Sequence, residues 1–237
     1  MEISPDAIIV FQWNGIHINA TIFFTWVVMV LLIFISWLAT KNLTIGPKIG
    51  RWQNFLEVII GYIRQQVKEI TQQNPDPFIP FLGTLFLFIS ISSMLTIIPG
   101  YQPPTGSLST TSALAICVFF AIPIFGIARK GMRGYFKHYL EPSIFMMPFN
   151  IIGDFSRILA LAVRLFGNMM SGTLIVAVLF IITPLFVPIV MQVLGLLIGQ
   201  IQAYIFTVLA TVYIASATRI ESKPEQIDQK EGSKEDE

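Results

Sequence analysis

The chain has 237 residues, of which 54% are hydrophobic and only 12% are charged, and its mean hydropathy is +0.71. A soluble domain usually carries about 25% charged residues, so this composition indicates an integral membrane protein. The net charge of +1 gives no reason to expect a nucleic acid partner, and the single cysteine excludes an internal disulfide. With two histidines and one cysteine, we expect neither a metal site nor a cofactor.

The N-terminal half predicts two membrane spans and a surface helix. We expect residues 1–20 to lie outside the membrane without a cleavable signal peptide, because the first nineteen contain no Lys or Arg. Residues 21–40 form a first apolar span of the length that a bilayer requires. Residues 51–73 place apolar side chains at helical spacing among charged ones, which predicts an amphipathic helix on the membrane surface or against a partner. Residues 78–98 are the second span, and residues 99–112 form an uncharged loop.

The peripheral helices, residues 21–142, end with a third span and a basic segment. Residues 113–128 are a short apolar segment, and five basic side chains follow within ten residues, which predicts a basic loop over 129–141. Residues 143–182 exceed one perpendicular span, so they predict a strongly tilted or partly re-entrant helix.

The chain ends with a second long span and a polar tail. A turn at residues 183–188 leads to the last span, residues 189–218, so that residues 143–218 form a tilted helical hairpin. The polar residues 219–237 predict a disordered tail. The fold class is therefore all-α, with about five transmembrane helices and one amphipathic helix. Lys and Arg follow the first, third and last spans, which places the N-terminus outside and the C-terminus in the cytoplasm.

Arg164 lies in the longest nearly uncharged part of the chain. Between residues 143 and 218 the only Asp, Glu, Lys, Arg or His side chains are Asp154, Arg157 and Arg164. An arginine keeps its charge everywhere in a protein. At the middle of a bilayer that charge costs about 3 kcal/mol on insertion scales and ~10 or more in simulations. We therefore expect Arg164 to act on an ion, a partner carboxylate or a substrate path.

Helical spacing places Arg164 within a polar stripe. The stripe is typical of a half-channel lining, and its members are Asp154, Arg157, Arg164, Asn168 and Ser171. Two members have simpler explanations, since Arg157 can extend to the inner surface and Asp154 can merely neutralise it. The last span carries a second stripe in which glutamines supply hydrogen bonds and glycines permit close packing; it consists of Gln192, Gly195, Gly199 and Gln202.

The segment Arg164-Leu165-Phe166-Gly167-Asn168-Met169 resembles subunit a of the rotary F-type ATP synthases. Residues 83–88, 148–155 and 200–206 also resemble that family, and the resemblance covers about residues 51 to 218. It implies an ion-translocating stator subunit whose two half-channels lead H+, with Na+ as the other candidate, to a rotating c-ring. The implied partners are the c-ring subunits, the peripheral-stalk b subunits, the rest of the synthase and membrane lipid, and the implied location is the inner (plasma) membrane.

The resemblance also implies roles for individual residues. Arg164 corresponds to the essential arginine that attracts an ionised ring carboxylate and prevents leakage between the channels. Gln202 corresponds to the glutamine that faces that arginine, and Asn168 to the asparagine of the motif. Asp154 lies where the family has acidic residues at the inner channel.

The outer channel departs from the family pattern. Many relatives place a glutamate nine residues beyond the arginine, where this chain has Thr173, and others place an acid or histidine at the position of Gly195. Ser171, Thr173 and Gln192 could instead hydrate a path for H+ or Na+, and oxygen donors suit a hard cation.

Two other classes compete with this interpretation. A secondary ion-coupled transporter would favour inverted repeats and broken helices, which the sequence does not contain. A membrane-embedded enzyme would need a cluster of catalytic side chains, and the two histidines and one cysteine do not form one. We expect this chain to carry no catalytic site of its own.

Overall fold

The computed structural model describes residues 9–13, 16–41, 51–98, 100–140, 147–183 and 187–218. Within these residues five helical segments are long and apolar enough to cross a membrane, which confirms the all-α integral membrane fold. The helices are α1 (Ala20–Thr40), α2 (Arg51–Thr71), α3 (Ile79–Met94), α4 (Leu108–Leu140), α5 (Met147–Ile182) and α6 (Val187–Thr218). The amphipathic helix α2 separates the first two spans.

The helix boundaries differ most from the predictions around α4. This helix begins at Leu108, inside the segment that was predicted to be a loop up to residue 112. It continues to Leu140, so the predicted basic loop over 129–141 is wrong for the described residues 129–140. The helical path breaks at Gly131, whose φ of 73° and ψ of 163° are accessible to glycine at no steric cost. A helix with a glycine break thus carries the basic side chains.

The long segment predicted to be tilted or re-entrant is a continuous helix. Helix α5 has 36 residues, which correspond to about 54 Å at 1.5 Å per residue. A helix of this length exceeds the roughly 30 Å hydrocarbon core, so it must tilt or extend beyond it. The described residues of α5 contain no re-entrant break. The middle of the predicted turn, residues 184–186, and the predicted tail, residues 219–237, lie outside the described residues.

A two-stranded hairpin precedes the helices and was not predicted. Strands β1 (Ile9–Trp13) and β2 (Ile16–Asn19) pair antiparallel, with Trp13 opposite Ile16. The sequence contained a signal for it, because the intervening Asn14-Gly15 is the dipeptide that two-residue hairpin connections favour. The predicted N-terminal segment, residues 1–20, therefore contains regular structure before α1 begins.

The core lies where α3, α4, α5 and α6 meet. Its fully buried side chains include Leu82 and Ile89 on α3, Val118 on α4, Leu165 on α5 and Phe206 on α6. Helix α1 is peripheral, and much of its apolar surface, including Trp26 and Ile33, is exposed. Since lipid is as apolar as these side chains, close packing rather than the hydrophobic effect holds such helices together.

The amphipathic helix α2 packs against this chain's own helices. Val67 on its apolar face is 2% exposed and belongs to the core, whereas Glu57 and Lys68 on the other face are exposed. The Tyr204 hydroxyl of α6 donates a hydrogen bond of 3.0 Å to the Gln66 side chain. The predicted amphipathic helix is therefore present, and its apolar face contacts α3 and α6.

Candidate functional site

Arg164 lies at the middle of α5 on a face that points away from the rest of the chain. Its side chain is exposed, and so are its neighbours Leu159 and Val163, which are 54% and 53% exposed. Among the residues that the structure describes, no side chain forms an ion pair or a hydrogen bond with the guanidinium. Within the described part of the chain, the charge therefore sits on an apolar surface without a counterion.

One helical turn further on, α5 is joined to α6 by a hydrogen bond. The Asn168 Nδ2 donates to the Gln202 Oε1 at 2.8 Å. Gln202 is only 2% exposed, and its Nε2 is a buried donor without a partner in the described part of the chain. The sequence predicted that Gln202 would face Arg164, but the hydrogen bond that the structure contains is to Asn168. An unpartnered amide donor thus lies within one turn of the Arg164 position.

The N-terminal end of the stripe contains an ion pair in a cleft. Asp154 and Arg157 approach within 3.5 Å, as their three-residue spacing allows, and the aspartate is half-buried. The Arg157 guanidinium also lies 6.0 Å from the centre of the Tyr213 ring, within cation–π range. The cleft has a volume of about 360 Å³ and is also lined by Asn150 and Ser216. It has room for several waters beside a carboxylate.

The C-terminal end of the stripe has hydroxyls but no acid. The Ser171 and Thr173 hydroxyls donate to carbonyl groups of their own helix, and both residues are exposed. Between residues 165 and 183 of α5, and between 187 and 201 of α6, there is no Asp, Glu, Lys, Arg or His. The two ends of α5 therefore differ in chemistry.

Gln192, which was predicted to hydrate the outer path, has its amide nitrogen bonded to the short 3₁₀ turn Leu95–Ile97 that follows α3. Its Nε2 donates to the Thr96 carbonyl at 2.6 Å. The two glycines of the same stripe behave differently: a Cβ added at Gly199 would lie 2.6 Å from the Ser93 Cβ, whereas one at Gly195 would meet nothing within 4 Å. Close packing therefore explains why residue 199 is a glycine, but it does not explain the glycine at residue 195.

Sequence reasoning singled out Gln192 and Gly199 but missed the cluster that they join on the α3–α6 seam. We define this cluster, which includes Thr96 in the turn after α3, as Ser90, Ser93, Thr96, Gln192, Gly199 and Gln200. The Gln200 Oε1 accepts a hydrogen bond from Ser90 Oγ at 2.6 Å, and its Nε2 donates to the Ser90 carbonyl and to Ser93 Oγ, both at 3.0 Å. A signal was available, because an amide in an apolar span needs a partner and α3 carries three serines at 90, 92 and 93.

The described residues contain no group of three or more His, Cys, Asp or Glu side chains that could hold a metal ion. In the described part of the hairpin the polar groups include the Arg164 cation, the Asp154–Arg157 ion pair, amides and hydroxyls. Such an arrangement can attract an anion, hydrate a path and hold helices in register, but it offers no nucleophile with an activating base.

Comparison with known proteins assigns the chain to a family. Residues 22–215 match the family of the ATP synthase A chain. ATP synthase subunit a 2 of Acaryochloris marina (strain MBIC 11017) is 58% identical over 228 residues, which cover 96% of this chain and 97% of that protein.

Two further relatives match over similar lengths. ATP synthase subunit a 2 of Picosynechococcus sp. (strain ATCC 27264 / PCC 7002 / PR-6) is 54% identical over 98% of this chain and 100% of its own length. ATP synthase subunit a of Albidiferax ferrireducens (strain ATCC BAA-621 / DSM 15236 / T118) is 56% identical over 92% of this chain and 95% of its own. These matches do not favour the secondary transporter. Because the match spans all five membrane helices and the α5 stripe, this multi-pass membrane chain belongs to the ATP synthase A chain family.

Proposed function

We propose that this chain is the ion-translocating stator subunit of an F-type ATP synthase. It provides two half-channels through which H+, or alternatively Na+, reaches and leaves carboxylates on a rotating c-ring, and this flow is coupled to ATP synthesis or hydrolysis. The observation that carries the proposal is Arg164, a permanently charged side chain exposed at mid-helix with no counterion among the described residues.

The exposed face around Arg164 suits a ring of apolar helices that carry carboxylates. Its apolar side chains can slide against such a ring, and the guanidinium lowers the free energy of an ionised carboxylate that passes it. The same charge repels a cation that would cross directly from one half-channel to the other. Ions must therefore bind to the ring and rotate, which is what couples transport to rotation.

The Asp154–Arg157 cleft is the proposed inner half-channel. The carboxylate makes the cleft attractive to a cation, while Arg157 moderates its charge and holds it beside Tyr213. From there the polar stripe leads along α5 towards Arg164, with Asn168 and the buried Gln202 donor at its middle. The cleft supports a hydrated approach from the inner side.

The outer half-channel works without a carboxylate in this proposal. Ser171 and Thr173 offer neutral oxygen atoms on the exposed face, whereas the Gln192 amide nitrogen is bonded to the Thr96 carbonyl. Water ordered by such groups can carry protons, and neutral oxygens also suit a hard cation such as Na+. The chain itself thus leaves both ions open, with H+ as the ion that the family resemblance implies.

The proposed partners follow from the exposed surfaces. The α5 face around Arg164 contacts the c-ring, and peripheral-stalk b subunits and lipid cover other apolar helices such as α1. The proposed location is the inner (plasma) membrane, with the N-terminus outside and the C-terminus in the cytoplasm, as the distribution of Lys and Arg favours.

A purification tests the assignment. An affinity-tagged chain, extracted from its native membrane in mild detergent, should copurify with a c-ring and with b subunits. A chain that is purified alone, and that transports a solute after reconstitution, would instead support a secondary transporter.

ATP-driven transport in vesicles that contain the purified complex identifies the ion. If the ion is H+, the vesicle lumen acidifies and a protonophore abolishes the gradient. If it is Na+, radiolabelled sodium accumulates, and this uptake persists or rises when the protonophore is present.

A further inference from the structure

We propose that Ser90, Ser93 and Gln200 position helix α6 so that the Gln202 amide meets Asn168 beside Arg164. This inference rests on the proposed function, since it assigns the cluster a role in ion coupling through the α5 stripe. The three residues are positioning residues, because they act through Gln202 and do not touch the ion or the ring.

Gln200 uses both ends of its amide on α3. Its oxygen accepts from the Ser90 hydroxyl, and its nitrogen donates to the Ser90 carbonyl and to the Ser93 hydroxyl. Ser90 and Ser93 are 8% and 1% exposed, so no solvent competes for these groups. A buried polar network that is fully satisfied is rigid and specifies one arrangement of the groups that form it.

Two glutamines on opposite faces hold α6 between its neighbours. Gln200 and Gln202 are two residues apart, which is about 200° around a helix of 3.6 residues per turn. One therefore bonds to α3 while the other bonds to Asn168 on α5. A rotation of α6 that improved one bond would break the other, so together they define how α6 is turned.

Gly199, which precedes Gln200 on α6, also determines how closely α6 approaches α3 and α5. A Cβ at Gly199 would lie 2.6 Å from the Ser93 Cβ and 3.3 Å from the Met169 side chain of α5. All three helices thus meet at Gly199, next to Gln200. The contact limits movement of α6 along its axis as well as rotation about it.

Rotation of α6 matters because of the Gln202 donor. This buried Nε2 has no partner among the described residues and lies one turn from Arg164 along the stripe. If α6 turned, the amide would leave Asn168 and the donor would point elsewhere. The simpler alternative is that the cluster only stabilises helix packing, so the test must measure geometry and coupling separately from assembly.

The experiment uses the intact synthase complex in its membrane. Cysteines replace Asn168 and Gln202 as a cross-linking pair. The yield of the disulfide after oxidation is then measured in three versions of this pair: one that keeps Gln200 and Ser90, one with Gln200→Leu and one with Ser90→Ala. In complexes that keep Asn168 and Gln202, the same changes at positions 200 and 90 are compared for ions transported per ATP hydrolysed. Both readouts are normalised to the amount of assembled complex.

We expect Gln200→Leu to lower both the cross-link yield and the coupling ratio by at least about threefold, because one typical interhelical hydrogen bond in a membrane gives that effect and the variant removes three. Ser90→Ala should have a smaller effect in the same direction, and Ser90→Thr should restore both readouts because it keeps the hydroxyl. Thr84→Val is the matched control, because the Thr84 hydroxyl bonds only to its own helix, at the Phe81 carbonyl.

The positioning role is overturned if the cross-link yield does not change in Gln200→Leu, or if it falls while the coupling ratio stays constant. It is also overturned if both readouts change equally in Thr84→Val. Failure of the proposed function looks different, because the unmodified complex would then transport no ion. If the complex with Gln200→Leu does not assemble, the test uses the milder variants Ser90→Ala and Ser90→Thr. The positioning role is then overturned if Ser90→Ala leaves either readout unchanged.

Discussion

The Arg164 face of α5 and the α3–α6 seam both place polar side chains in apolar helices, but the face leaves its central charge without a partner among the described residues. On the seam, both ends of the Gln200 amide have partners on α3, and the Gln192 nitrogen has a partner at Thr96, in the turn that follows α3. On the face, Arg164 is exposed and has no partner in the described part of the protein. The two regions are joined by the Asn168–Gln202 bond.

The difference separates polar groups that stabilise the fold from polar groups that are available to bind another molecule. An amide buried with its partners contributes about 0.6 kcal/mol per interhelical bond and defines register. A lone arginine at the level of the hydrocarbon destabilises the isolated subunit by about 3 kcal/mol or more. In the proposed complex, a ring carboxylate and hydrated channels surround this charge and offset part of that cost.

The largest effect is expected where the face loses its charge. Arg164→Ala should abolish coupled ATP synthesis and ATP-driven transport while the complex still assembles, because nothing then holds a ring carboxylate ionised or blocks the leak. Arg164→Lys should also fail, since an ammonium group lacks the planar, forked geometry of a guanidinium. Transport by vesicles containing purified complex measures both variants, and normal pumping by Arg164→Ala would contradict the proposed function.

A smaller loss is expected where the two regions join. Gln202→Leu removes the only described partner of the Asn168 amide and should lower transport roughly fivefold, on the order of 1 kcal/mol. Asn168→Ala should act similarly. The double variant should be no worse than either single variant, because both remove the same bond. Effects that multiply in the double variant would show that the two residues act independently.

The seam predicts a contrast between two glycines. Gly199→Ala should destabilise the subunit by about 1–3 kcal/mol, because the new methyl group meets Ser93 close to its backbone and the helices must separate. Gly195→Ala is the matched control, since its Cβ would contact nothing within 4 Å in this chain. Thermal unfolding of the purified subunit in detergent compares them; equal midpoints would mean that α3 and α6 are not in close contact at Gly199.

The smallest effect is expected at Thr173, at the proposed outer end of the Arg164 face. Because Thr173 has no titratable group, transport should depend only weakly on outer pH between about 4 and 7, beyond the dependence that the ring carboxylate itself gives. Thr173→Glu introduces a carboxyl group there and should add a dependence in that range, with Thr173→Gln as the uncharged control. The measurement is the transport rate at several outer pH values while the inner pH is held constant. A strong dependence in the unmodified protein would mean that another titratable group serves the outer path.

Much of the membrane topology could be predicted because apolar length is a property of the sequence. The spans of α1, α3, α5 and α6 were located within a few residues, since a bilayer requires about 20 apolar residues for each crossing. The ends of α4 were not, because the serines and threonines before it and the basic residues after it are typical of loops in isolation. The hairpin before α1 was overlooked although Asn14-Gly15 favours one.

By itself the sequence determined the class of the protein, its polar stripe and the one permanent charge that α5 carries at its centre. The pairing of the amides was decided by tertiary structure alone. Helical periodicity defines which residues share a face, but not which neighbouring helix that face meets. Gln202 therefore bonds to Asn168 rather than to Arg164, Gln200 bonds to α3, and Gln192 bonds to the turn that follows α3. The physical reason is that hydrogen bonds between helices depend on the rotation and depth of each helix, and close contacts such as Gly199 with Ser93 define both.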